Sequence, residues 1–173
     1  MRIAISGKSG CGNTTTTTLV SQALGYPMIN FTFRNLAKER GIEFWKFCRM
    51  AEQSDEPDKE VDSRQVRMAL QEKNCVLGSR LAIWMLHEAD LKVYLTVSIE
   101  ERARRVFERE GGTLEQRLAE TKERDERDSA RYMKLYHIDN NDSSVADLVI
   151  DATELSAQQV SEIIIAKAKG KIV

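Results

Sequence analysis

At 173 residues the chain has the size of one ordinary domain, with 42% hydrophobic residues to fill a core and 31% charged residues to keep its surface in water. A formal net charge of −1 excludes a long-range pull towards nucleic acid or anionic membrane, so any anion site has to be local. No window reaches the roughly 20 apolar residues of a membrane span, the start Met1 to Gly7 is too soon broken by glycine for a signal peptide, and Cys11, Cys48 and Cys75 show neither zinc nor disulfide spacing. The expectation is a cytoplasmic monomer without nucleic-acid or membrane partners.

In chain order, residues 2 to 6 form a β-branched first strand, and a glycine-rich loop follows up to Asn13. It opens a helix running to about Leu24, closed by Gly25 with Pro27 behind it. Met28 to Phe31 reads as a short strand and Phe33 to Arg40 as a helix ended by Gly41. Glu43 to Gln53 places Phe44, Phe47, Cys48 and Met50 at helical spacing, which predicts one inward face. Beyond the acidic turn Ser54 to Asp58, a polar helix is expected over Lys59 to about Glu72.

Cys75 to Gly78 is a third strand and Arg80 to His87 a short helix. Leu91 to Val97 alternates as a strand, and Ser98 with Glu101 suggests a capping box at the start of the helix that Gly111 and Gly112 end. Thr113 to Tyr136 is dense in charge, Leu148 to Ile150 is a last strand, and Ser156 to Lys169 an amphipathic closing helix. Strands alternating with helices predict an α/β fold on a parallel sheet. Trp45 and Trp84 are expected in the core, and His87 and His137 at surface or helix-end positions.

The glycine-rich loop carries the chemistry. Gly7, Gly10 and Gly12 let successive backbone N–H groups turn inward above a helix N-terminus, which is how a chain cradles phosphate. Gly7, Lys8, Ser9, Gly10, Cys11, Gly12, Asn13, Thr14 and Thr15 are therefore the expected donor-phosphate contacts, with the Thr14 hydroxyl placed to ligate Mg2+. The phosphate-loop pattern has lysine where this chain has the uncharged Asn13, and phosphoryl transfer depends on positive charge at that point. Lys8, directly after the first glycine, is the candidate substitute; its position resembles that of the signature lysine in deviant Walker A ATPases. Cys11 lies where oriented N–H groups could lower a thiol pKa.

Three further stretches, Asp58 to Gln65, Ala89 to Leu95 and Thr121 to Tyr132, resemble the cytidylate kinases, especially the small archaeal type. The similarity runs along nearly the whole chain. It implies a three-layer P-loop NTPase fold in one nucleoside monophosphate kinase domain. The core would be residues 1–31, 74–112 and 137–173, with a helical monophosphate-binding insert at 32–73 and a mobile lid at 113–136. It also implies ATP and Mg2+ as cofactors and CMP or dCMP as acceptor. By resemblance, Arg34 meets the acceptor monophosphate, Arg80 the pyrimidine nucleotide, and Arg124, Asp128 and Arg131 form the lid motif. Lys8, Arg124 and Arg131 are then the expected catalytic residues.

The spacing of Arg124, Asp128 and Arg131 at i, i+4 and i+7 puts all three on one helix face, with a carboxylate between two guanidinium groups. Three features depart from the family pattern: Asn13 in the loop, Gly78 where a carboxylate is usual, and a shortened segment from Leu24 to Arg34. They leave two other readings open, a nucleotide-binding sensor that transfers phosphate poorly and a kinase of another small acceptor. Base identity follows from the resemblance and not from the residues themselves.

Overall fold

A computed structural model describes residues 1–51 and 54–172. The expected end of one helix at Gln53 falls outside them. Five strands form one parallel sheet in the order β2-β3-β1-β4-β5, where β1 is Arg2–Gly7, β2 Met28–Ile29, β3 Cys75–Gly78, β4 Leu91–Thr96 and β5 Leu148–Asp151. Eight helices accompany it among the described residues: α1 Asn13–Leu24, α2 Phe33–Glu39, α3 Phe44–Ala51, α4 Glu56–Gln71, α5 Ala82–Met85, α6 Ile99–Glu110, α7 Leu114–Tyr136 and α8 Ala157–Ile172.

Alternation along the central strand builds the layers. Ile3 and Ile5 join Val20 of α1 and Val160 and Ile164 of α8 in one core, while Ala4 joins Leu77, Ile83 and Leu86 in the opposite one. A third cluster, Phe31, Leu36, Phe47 and Val61, ties α2, α3 and α4 together away from the sheet. Phe47 has no exposed surface, and burying such a side chain contributes about 1.5–3 kcal/mol.

Helix ends follow the chemistry of the sequence. Gly25 closes α1 at φ 65°, a left-handed conformation glycine adopts without penalty. The polar helix begins earlier than expected, at Glu56, because Pro57 suits a first turn whose N–H groups have no helical partner. The second strand is shorter than expected, Met28–Ile29, and the helix after the third strand shrinks to Ala82–Met85. The capping box at Ser98 is half formed: Ser98 Oγ accepts from the Glu101 N–H at 3.3 Å, but the Glu101 carboxylate is taken by Arg104 and Arg105.

Two expectations about burial fail. Trp45 is 67% exposed and Met50 46%, because the inward stripe of α3 is centred on Phe47 and both lie off it. Trp84 does pack, edge-on against Tyr94 with ring centroids 5.7 Å apart. His87 is exposed, and His137 caps the end of α7 at φ 55°. No described helix is long and apolar enough to cross a membrane.

Candidate functional site

The strand order reverses direction on the two sides of β1, and in open parallel sheets the crevice at that switch point, beyond the carboxyl ends of the strands, is where ligands bind. The loop from Gly7 to Asn13 occupies that place. Gly10 and Gly12 sit at φ 85° and 89°, the conformations that turn successive N–H groups inward. Gly7 has no room for a side chain, since a β-carbon there would lie 2.8 Å from both the Leu95 carbonyl and Asn13 Oδ1.

The loop borders a cleft of about 400 Å³ lined by Lys8, Ser9, Gly10, Gly12, Asn13, Thr14, Thr15, Gly78, Ser79, Arg80, Arg105 and Arg109. Four of these are cations and none is acidic, so a protein of nearly zero net charge presents a locally positive cleft. Arg105 and Arg109, from α6, were not foreseen; nothing in the periodicity of a helix says which of its arginines overhangs a loop 90 residues earlier. Arg105 also donates to the Ala152 carbonyl at 2.8 Å and borders a second cleft of about 590 Å³ with Gly12, Thr15, Glu101 and residues 153–157.

Asn13 is turned into the loop. Its Nδ2 donates to the Gly7 carbonyl at 2.7 Å, and its Oδ1 is buried without a hydrogen-bond partner. Gly78 has an equally local cause: a β-carbon there would overlap Thr17 Oγ1 and lie 2.8 Å from Thr17 Cβ, so the side chain of α1 fills the room a carboxylate would need. Cys11 does not gain the acidity that a place among oriented N–H groups could confer. The thiol is buried in the core beneath the loop, and burial pushes its pKa up, outweighing the lowering influence of Arg102.

Helix α7 faces both the loop and α4, and its charged residues divide between them. Arg124 Nη1 donates to Ser9 Oγ at 3.1 Å. Asp125 accepts two bonds from Arg102, at 2.9 and 2.7 Å, and lies 3.7 Å from Lys8 Nζ. One turn on, buried Asp128 pairs with Arg80 at 2.9 Å, and Arg131 pairs with buried Asp58 of α4 at 3.1 Å. Tyr136 donates to Asp62 at 2.7 Å. The three residues of the lid motif do share a face, but their partners lie on other elements and not on one another.

At the α4 end these groups enclose a pocket of about 630 Å³ lined by Phe33, Cys48, Asp55, Asp58, Arg127, Ala130, Arg131 and Lys134. Burial raises the pKa of Asp58, opposed by the Arg131 charge, and Arg131 Nε is itself buried without a partner. Arg34 is exposed, its guanidinium 4.1 Å over the Phe44 ring, while its neighbour Phe33 lines the pocket.

Among the described residues no cluster of three His, Cys, Asp or Glu could cage a metal ion. Thr14, exposed at the start of α1 and lining the cleft, fits an ion such as Mg2+ that takes one protein hydroxyl and is otherwise held by phosphate oxygens and water.

The sequence model of the cytidylate kinase-like family matches residues 2–154. Cytidylate kinase 2 of Borreliella afzelii is 44% identical over 168 residues, covering 95% of this chain and 94% of the relative. Cytidylate kinase of Pyrococcus furiosus is 41% identical over 164 residues, covering 94% and 85%. Among solved structures, an uncharacterized protein from Eubacterium ventriosum aligns with a TM-score of 0.72 at 19% identity over 98% of each chain. Shikimate kinase from Acinetobacter baumannii aligns with a TM-score of 0.62 at 16% identity, over 98% of this chain and 93% of that one. With the switch-point loop, the positive cleft and these relatives together, the chain belongs to the cytidylate kinase-like family, and with it to the nucleoside monophosphate kinases.

Proposed function

We propose that the protein transfers the γ-phosphoryl group of ATP to CMP or dCMP. The observation that carries this reading is that one helix, α7, touches the phosphate loop through Arg124 and the α4 pocket through Arg131. The two residues are seven apart, about 10 Å along the helix, a separation that suits a donor phosphate at one end and an acceptor base at the other.

Each end has matching chemistry. The backbone of residues 7 to 15 would hold the donor phosphates, and Lys8, Arg80, Arg105 and Arg109 supply the positive charge that Asn13 does not. Bound Mg2+, held by Thr14 and the phosphates, would neutralise charge developing on the transferring group. At the acceptor end, Asp58 presents a hydrogen-bond acceptor beside the donors of Arg131. Cytosine offers the complement, an exocyclic N–H donor beside the N3 acceptor, whereas uracil has the reverse and would leave both protein groups unpaired. Phe33 gives the base an apolar wall. Asp128 and Arg80 join the two ends across the middle, Arg34 is left at the surface to meet an incoming acceptor phosphate, and residues 113–136 act as the lid over the insert at 32–73.

A second reading, a nucleotide-binding protein that transfers phosphate poorly, has its own support in Asn13, whose amide is committed to the Gly7 carbonyl and carries no charge. A coupled assay with purified protein, ATP and a panel of CMP, dCMP, UMP, AMP and GMP separates the two. Turnover confined to CMP and dCMP is expected; thermal stabilisation by nucleotides with no turnover of any of them would establish the second reading instead.

A further inference from the structure

Lys8 is the only cation in the loop between Gly7 and Thr14, and its ammonium is not free. It stands 3.7 Å from Asp125 Oδ2, too far for a good hydrogen bond but close enough for an ion pair. The same carboxylate has a stronger partner. Buried Arg102 grips it with two bonds of 2.9 and 2.7 Å, and also donates to the carbonyls of Ser9 at 3.2 Å and Val97 at 3.3 Å. Asp125 is therefore held and neutralised with or without Lys8, and of the two cations Lys8 is the exchangeable one.

Its surroundings allow the exchange. Lys8 lines both the phosphate cleft and a smaller cavity of about 210 Å³ behind the loop, where Arg102 and Tyr94 also stand, so its side chain sits at the divide between the two. Arg124, the residue before Asp125, holds Ser9, the residue after Lys8. Neighbouring residues of α7 thus grip neighbouring residues of the loop.

We propose that Asp125 is a positioning residue: it holds Lys8 back from the cleft while the loop is empty and yields it to the donor phosphates when they arrive. A polyphosphate carries more charge than one shared carboxylate and offers direct contact, so it outcompetes Asp125 for the lysine. The reserve keeps an unpaired ammonium from stacking positive charge on Arg80, Arg105 and Arg109 in the empty cleft, and it ties the release of Lys8 to a change at the middle of α7.

This rests on the loop being the donor site, and ADP binding by titration calorimetry tests both statements separately. If Asp125 competes for Lys8, Asp125→Asn tightens ADP binding about three- to five-fold, the size expected from removing one partly exposed ion pair. In a Lys8→Met background the same substitution changes nothing, and Asp125→Glu restores the wild-type affinity. Should Asp125→Asn fail to fold because buried Arg102 loses its counter-charge and one of its two acceptors, an Arg102→Met, Asp125→Ser protein removes the pair without stranding a buried charge. It should bind ADP more tightly than wild type in a manner that again depends on Lys8. Affinity that is unchanged, loosened, or altered equally with and without Lys8 would reduce Asp125 to a brace for Arg102 and overturn the hand-over. No ADP binding to wild type or any variant would instead remove the donor site itself.

Discussion

Gly78→Ala asks whether the strand end lacks a side chain because α1 already fills its place. The added β-carbon would overlap Thr17 Oγ1 and lie 2.8 Å from Thr17 Cβ and 2.9 Å from Cγ2. Thr17 is fully buried in the second turn of α1 and β-branched, so it has little rotamer freedom to retreat. Overpacking of this kind costs about 1–3 kcal/mol, and the upper end, about 3 kcal/mol, applies where the neighbour cannot move. A chain of this size loses roughly 2–4 °C per kcal/mol, which gives a melting temperature lowered by about 6–12 °C. Thr17→Ala removes the hydroxyl and the methyl and leaves only the 2.8 Å contact. Combined with Gly78→Ala it should recover part of the loss, with a coupling of about 1–2 kcal/mol in a double-mutant cycle read by urea denaturation. A Gly78→Ala protein within about 0.5 kcal/mol of wild type, or losses that simply add, would show that Thr17 does not explain the missing carboxylate.

Other outcomes follow from single residues. Asp58→Asn exchanges an acceptor for a group that can donate, so kcat/KM for CMP should fall about 10- to 100-fold while that for UMP rises, in line with about 1.5–3 kcal/mol for a charge-assisted bond; equal losses on both substrates would place Asp58 outside base recognition. Hydrogen bonds from Arg104, then Arg105, hold the Glu101 carboxyl down to about 2, below its ordinary 4.5. Because the folded value is the lower one, the stabilisation is present above pH 4.5 and lost as pH falls towards 2, so wild type and Glu101→Gln should converge in stability across that window. A constant gap between them would deny the pairing. Thiol titration of the native protein with an aromatic disulfide should find half-buried Cys48 reacting first, with Cys11 and Cys75 slow until urea is added, since burial raises both of their pKa values. A fast Cys11 would contradict its place beneath the loop.

Much of this molecule was legible in the sequence because its signals are local. Gly7, Gly10 and Gly12 before a helix, Gly25 at a helix end and β-branched runs at regular intervals each act within a few residues, and each was found where expected, except that the second strand stops at Ile29. The lid motif was legible only in part. Helical spacing put Arg124, Asp128 and Arg131 on one face, but spacing holds no information on partners, so Ser9, Arg80 and Asp58 could not be read from it. The same limit hid Asp125 and Arg102, 23 residues apart, and the filling of the Gly78 position by Thr17. Trp45 misled for a different reason. Its apolar neighbours suggested burial, yet α3 has room for only one inward stripe, and Phe47 takes it.

The proposed transfer requires that a loop with asparagine in place of lysine still move a phosphoryl group, with Lys8 and the cleft arginines carrying the charge. The most direct test is the rate of CDP formation from CMP and ATP, followed by phosphorus NMR and by a coupled assay, for wild type beside Lys8→Ala. Clear turnover by wild type is predicted, with kcat lowered about 10²- to 10³-fold in Lys8→Ala, the loss typical of removing one group that stabilises transition-state charge. Turnover unchanged by Lys8→Ala would contradict the substitution of one lysine for another, and the absence of CDP from wild type would contradict phosphoryl transfer altogether.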